Sequence, residues 1–189
     1  FLAFSERWVG RPGKAIELTE GLVEVLRSIF GLNYLPTVIW IRGLALAETG
    51  RMKEAIPLFR EGIEICEKSG SIFWLVRLYN CLGYCYSEVY ESRKAWNWNV
   101  RGEEMARKLM SQYPMGRQMS AEAAAQASVN LMENLFDQGN PDGAWDRIKS
   151  FEIESSGDDF AKLRYFWNAR MEYLASQILL QRGNVDQGE

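Results

Sequence analysis

The chain contains no histidine at all. That excludes Ser–His and Cys–His nucleophile pairs and removes the imidazole ligand of most protein metal sites. Cysteine is scarce as well: Cys66, Cys81 and Cys85 are the whole set. A small odd number argues against a disulfide-stapled secreted scaffold and for a reducing compartment, so the expected location is cytoplasmic. Cys81 and Cys85 stand one helical turn apart, and zinc sites usually need four ligands. The pair therefore reads as two small residues on a packed helix face, and no metal site is expected. No apolar run approaches the roughly 18 residues a membrane span requires. Basic residues are not in excess: 22 Lys and Arg against 25 Asp and Glu give a net charge of −3, which argues against nucleic acid as a partner. Period-two alternation is missing, so strands are not expected. The opening Phe1-Leu2-Ala3-Phe4 has neither the basic start nor the cleavage site of a signal peptide.

What the chain does have is recurrence. A break residue stands five positions before a small residue at Gly10/Ala15, Gly50/Ala55, Tyr90/Ala95, Gly139/Ala144 and Gly183/Gly188. Successive breaks are 40, 40, 49 and 44 residues apart. Self-similarity at such a period marks a stacked array, in which each helix pair buries its apolar face only against its neighbours. The second helix of the first unit presents Ala15, Leu18, Leu22, Val25, Leu26 and Ile29 at offsets 0, 3, 7, 10, 11 and 14. Ala95, Trp98, Gly102, Met105, Ala106 and Leu109 repeat those offsets. The spacing predicts one helix face turned to the core in each case. Pro12 suits the first turn of its helix, Asn140 and Ser92 read as N-caps, and Pro141 opens the helix after Asn140. About nine helices in antiparallel pairs follow.

The motif residues resemble the tetratricopeptide repeat. The third unit carries Tyr79, Leu82-Gly83, Tyr86 and Ala95, and the second carries Ile39, Gly43, Leu46, Ala55, Phe59 and Gly62. The fourth keeps Leu131, Leu135, Gly139 and Ala144, with Met132 where glycine is usual. The fifth is the weakest, with Ser176 there and Gly188 for the alanine. The resemblance implies an all-α fold: a solenoid of antiparallel helix pairs wound into a right-handed superhelix. It covers residues 1–189 as one array, with units near 1–32, 33–70, 71–112, 117–156 and 158–189. Intervals of 40 and more exceed the family's usual 34. The longer helices look like the arrays that follow the ATPase module in bacterial and archaeal signal-transduction ATPases, maltose-regulon-type activators and adenylate cyclase-linked regulators. The chain opens and closes inside a repeat and does not begin with Met, so a piece of a longer protein is expected. Its terminal apolar surfaces are expected to favour self-association.

No catalytic constellation emerges. Gly13-Lys14-Ala15 lacks the upstream glycine and the following Ser/Thr of a phosphate loop. Pairs such as Asp158-Asp159 and Glu103-Glu104 read as helix-start or solvated carboxylates. No catalytic residue and no cofactor are expected. In a tetratricopeptide array the first helix of each pair lines a concave groove. Carried over by register, this groove would hold Trp40, Trp74, Arg77, Asn80, Tyr84, Gln126, Glu133, Trp167, Arg170 and Tyr173. Arg77 stands 13 residues before Tyr90, and Arg170 stands 13 before Gly183. Arginines beside aromatics and amides suit an extended peptide, a protein segment or a small anionic effector. Against this stands a plainer possibility, that the aromatics are core and that Arg77 and Arg170 are solvated or paired with Glu133. The chaperone-type clamp for a terminal carboxylate is not matched. The expected function is thus a non-catalytic interaction or sensor module of a larger signalling or transcription-regulatory protein. The alternatives are a stand-alone scaffold for protein subunits and, more remotely, an enzyme on a helical solenoid.

Overall fold

The structure is a computed structural model that describes residues 2–29, 34–155 and 164–183. Among these residues there are nine α-helices and one short 3-10 turn at Pro114–Gly116, and no strand. The helices are α1 (Leu2–Trp8), α2 (Pro12–Ser28), α3 (Leu35–Glu48), α4 (Met52–Ser69), α5 (Ile72–Glu88), α6 (Ser92–Gln112), α7 (Arg117–Asp137), α8 (Pro141–Ser155) and α9 (Arg164–Gln181). The part of the last helix expected before Arg164, the Asp158-Asp159 pair and Gly188 lie outside the described residues. No helix among them is long and apolar enough to cross a membrane.

The five break residues share one backbone geometry. Gly10, Gly50, Gly139 and Gly183 have φ of 80°, 75°, 76° and 77°, and Tyr90 has φ of 60°. After α3, the Arg51 N–H donates to the Leu46 carbonyl at 2.8 Å and the Gly50 N–H to the Ala47 carbonyl at 2.9 Å. The same paired bonds close α1 (Arg11 to Glu6, Gly10 to Arg7), α5 (Glu91 to Tyr86, Tyr90 to Ser87) and α7 (Asn140 to Leu135, Gly139 to Phe136). This is the six-to-one and five-to-two closure of a Schellman motif, which needs a left-handed residue just past the helix. Glycine adopts that conformation without a Cβ clash; Tyr90 is the one exception among the described residues. The period in the sequence is therefore the period of one repeated helix stop.

The starts follow local chemistry too. Pro12 and Pro141 occupy the first helical position, where a missing N–H costs nothing. The Asn140 side-chain oxygen accepts from the Gly143 N–H at 3.0 Å, the expected cap. Ser92 is already the first residue of α6 rather than its cap.

The residues fall into two compact units, Phe1–Glu91 and Ser92–Glu189. In the first, each helix packs on the next from α1 to α5, and the first helices of successive pairs also touch, α1 on α3 and α3 on α5. Gly43 and Gly62 allow the closest approaches. A Cβ on Gly43 would come within 2.5 Å of Phe59 Cζ on α4, and one on Gly62 within 2.8 Å of Ile39 Cγ2 and 3.0 Å of Leu78 Cδ1. Ala55, Phe59, Ile39 and Leu78 are fully buried around them. In the second unit α7 packs against α6, α8 and α9, and α9 also packs against α8. Ala121, Ala124, Ala125 and Ala127 make α7 thin enough to be surrounded, and all four are fully buried.

One expectation about α2 is corrected. Its core face is Ala15, Ile16, Thr19, Val23 and Leu26. Leu18, Leu22, Val25 and Ile29, expected on that face, are exposed to 36%, 41%, 52% and 65%. The core residues recur at offsets 0, 4, 8 and 11 from Ala15, whereas the exposed stripe recurs at 3, 7, 10 and 14. At 100° per residue the two stripes are adjacent sectors of one helix, and only one of them meets neighbouring helices here. The same offset of 4 places Phe59 in the core of α4 and Asn99 in the core of α6.

Candidate partner-binding surfaces

In the first unit, a line of aromatic rings crosses the first helices of three successive pairs. Phe4 and Trp8 of α1 stack with centroids 6.0 Å apart, Phe4 stacks on Trp40 of α3 at 5.7 Å, and Trp40 meets Trp74 of α5 at 5.6 Å with a 53° tilt. The Arg77 guanidinium lies over the Trp40 ring, 5.6 Å from its centroid. These spacings match favourable offset and tilted ring pairs and a cation over an aromatic face. Trp8 is 56% exposed, while Phe4, Trp40, Trp74 and Arg77 are half-buried. The rings thus form a ridge with its body packed and one side in solvent.

Behind the ridge lies Cys81. Burial pushes its thiol up to about 12, against the pull of Arg7 and Arg77 and a hydrogen bond with Trp40. Cys66 is raised to about 11 and Cys85 is raised further, in both cases first by burial. All three are free and buried. Thiols held neutral in this way are poor nucleophiles and poor metal ligands. No group of three potential ligands that could hold a metal occurs among the described residues. Arg7 also pairs with Glu48, Nε to Oε1 at 2.9 Å, and links α1 to the end of α3. The face thus carries two guanidiniums and one carboxylate among aromatics.

The other expected residues of this unit divide. Tyr84 is half-buried, but Asn80 is fully buried among the core residues of α5 and is not presented to solvent. Phe4, Arg7 and Trp8 are not among the residues that register assigns to the groove. A signal was present: Phe4 stands six residues before Gly10, the register of Leu44 before Gly50 and Tyr84 before Tyr90.

The second unit shows a related arrangement of its own. The Arg170 guanidinium of α9 lies 5.7 Å from the Trp167 ring centroid. It also binds Glu133 of α7 through a two-point fork, with Nε to Oε1 at 2.9 Å, and donates to Asn130 Oδ1 at 3.0 Å. The pairing with Glu133 raised as the plainer possibility is therefore present. Behind it runs a buried amide chain: Asn130 Nδ2 donates to Asn99 Oδ1 at 3.1 Å, and Asn99 Nδ2 to Asn134 Oδ1 at 2.9 Å. A polar line thus leads from a half-exposed ion pair to the buried centre of the unit, each amide satisfying the next. Gln126 is half-buried, and Tyr173 is 68% exposed.

No protein-family model matches the chain, and no curated protein sequence does. Solved structures match its fold. The apo form of RapI aligns with a TM-score of 0.70 at 12% identity, over 98% of this chain and 76% of that one. A candidate kinesin light chain from Podosopora anserina, with nearly identical TPR-like repeats, aligns at 0.64 and 13% identity over 99% and 86%. A single-substitution form of that protein gives 0.63 and 14% over 99% and 86%. The fold is that of TPR-like helical repeat proteins. At these identities the likeness speaks of architecture alone.

Proposed function

We propose that this chain is a non-catalytic interaction module that holds a peptide or protein segment against the first helices of its pairs. The observation that carries the reading is the ridge Trp8–Phe4–Trp40–Trp74 with Arg77 laid over Trp40. A row of rings presents apolar area at low cost in side-chain entropy, and an adjacent guanidinium adds a directional contact for a carboxylate. Trp167 and Arg170 supply the same chemistry in the second unit. Among the groups with shifted titration, the cysteines are driven toward the neutral thiol, Glu103 is held by arginines, and Asp137 is raised by burial and by the charge of Glu133. The repeat lengths of 40 and more resemble those of the long-repeat arrays of signal-transduction ATPases, maltose-regulon-type activators and cyclase-linked regulators. We infer a sensor role within a larger, cytoplasmic signalling or transcription-regulatory protein, with a small effector as an alternative occupant of the same face.

The test is a selection of random 12-residue displayed peptides on the immobilised chain, followed by synthesis of the enriched sequences. Enrichment of acidic and aromatic residues is expected. Arg77→Ala should weaken the selected peptides by about 1.5–3 kcal/mol, the value of a charge-assisted contact, and Trp40→Ala should weaken them further. Selected peptides that bind the Arg77→Ala/Trp40→Ala double variant as tightly as the parent would remove the ridge from consideration.

A further inference from the structure

Within the second unit, α6, α7 and α8 enclose a cleft of about 380 Å³ lined by Glu103, Arg107, Ser128, Arg147, Ser150 and Glu154, with Met132 and Phe151 as its apolar floor. Glu103 is its anchor. Expected as a solvated carboxylate, it has a side chain only 12% exposed. The Ser128 hydroxyl donates to its Oε1 at 2.5 Å, and Arg147 grips both oxygens, Nη2 to Oε2 at 3.0 Å and Nη1 to Oε1 at 3.3 Å. Arg107 Nη2 reaches the same Oε1 at 3.2 Å. The outward fork of Arg107 is filled by Glu154, with Nη2 to Oε2 at 2.9 Å and a second bond from Nη1 to Oε1.

The two carboxylates differ in how they are held. Glu103 is locked by three side chains from three helices. Glu154 has one partner, is one-third exposed and sits in the last turn of α8. With Glu154 turned outward, the cleft keeps two guanidiniums against one carboxylate, a net positive charge. The Ser150 hydroxyl lines the same space and adds a neutral donor. The Arg107–Glu154 fork is the geometry in which guanidinium groups take carboxylates and phosphates from ligands.

We propose that this cleft is an anion site for a small phosphate monoester, with Glu154 as the internal occupant that the ligand displaces and Arg107, Arg147 and Ser150 as its donors. A dianion competes better than a carboxylate against a resident carboxylate, because it returns more charge to the two guanidiniums than it removes. The volume suits a phosphate with a short substituent rather than a chain of residues. The site is independent of the aromatic ridge, which lies in the other unit and on first helices.

The experiment is thermal unfolding of the whole chain in inorganic phosphate, phenyl phosphate and acetate, each against chloride at matched ionic strength. A ligand that binds only the folded state raises Tm with concentration. Both phosphates should raise the Tm of the parent, and acetate should do less. Glu154→Gln, at a helix end and partly exposed, should bind the phosphates about three- to tenfold more tightly, since it removes the competing charge of one surface pair. In Glu154→Gln/Arg107→Gln the phosphate-specific rise should vanish. Calorimetric titration of phenyl phosphate into the parent and Glu154→Gln provides the same comparison if the double variant does not fold. An equal rise in every form, no rise in any, or a Glu154→Gln chain that binds no more tightly than the parent would overturn the proposal.

Discussion

Tyr90 is the one non-glycine residue with positive φ among the described residues, and its side chain is 92% exposed. Holding an L-residue in the left-handed region costs about 1–2 kcal/mol. No burial of the ring offsets this. Replacement by glycine removes the Cβ conflict but frees the unfolded chain, a loss of roughly 0.5–1 kcal/mol relative to alanine. The difference predicts that Tyr90→Gly stabilises the chain by about 0.5–1 kcal/mol. Tyr90→Ala is the control: it discards the ring but keeps the Cβ, so it should stay within about 0.5 kcal/mol of the parent. The assay is urea unfolding at about 25 °C followed by far-ultraviolet circular dichroism, with unchanged m-values showing that the midpoint shift reports stability. A Tyr90→Gly chain no more stable than Tyr90→Ala would refute the reasoning. It would mean that a Cβ in the left-handed region at this turn costs no more than the freedom glycine adds to the unfolded chain.

Gly43→Ala should destabilise by about 1–3 kcal/mol in the same assay, because the added methyl meets the buried Phe59 ring; pairing it with Phe59→Leu should recover part of the loss, and a neutral Gly43→Ala would show that α3 and α4 can separate freely. Glu103 predicts a pH dependence. Burial pushes its carboxyl up, but hydrogen bonds from Arg147 and Ser128 and the charges of Arg147 and Arg107 outweigh that and hold it below its usual 4.5. A depressed folded value means that the stabilisation is complete above 4.5 and is lost as pH falls through the lower folded value. The stability gap between parent and Glu103→Gln should therefore narrow on acidification below 4.5, and a gap that stays constant down to about pH 2 would contradict the assignment.

The helix stops were the legible part of the fold. A Schellman closure writes itself into sequence as a glycine at a fixed place, and four of five breaks carry it. Tyr90 was recognisable only because its neighbours on either side, 40 and 49 residues away, set the register. Gly43 was readable for a related reason, since a small residue inside a helix signals close approach, and the paired helix does come that close. The orientation of α2 was not readable. Leu18, Leu22, Val25 and Ile29 make a helix-period stripe as good as the true core stripe, and periodicity alone does not say which of two adjacent stripes meets a neighbour. Thr19 adds to the ambiguity: a polar type at a core position, it is buried because its hydroxyl returns to the Ala15 carbonyl at 2.7 Å.

For the surfaces, register points to helices and does not resolve how each side chain on them is presented. It chose α3, α5, α7 and α9, and the contacts of Trp40, Trp74, Arg77, Trp167 and Arg170 all involve those elements. It could not separate Arg77, which lies over a ring, from Asn80, which turns into the core three residues later. Three residues advance a helix by about 300°, enough to move a side chain from the edge of a face to its buried flank. The cleft around Glu103 was invisible for another reason. Its members come from three helices and are joined by charge rather than by spacing, with Glu103 bound to Arg147 across 44 residues and Arg107 to Glu154 across 47. No period links such residues. A network of this kind becomes visible only once packing has brought the helices together, so the features of a repeat protein that are not repeated are the ones its sequence conceals.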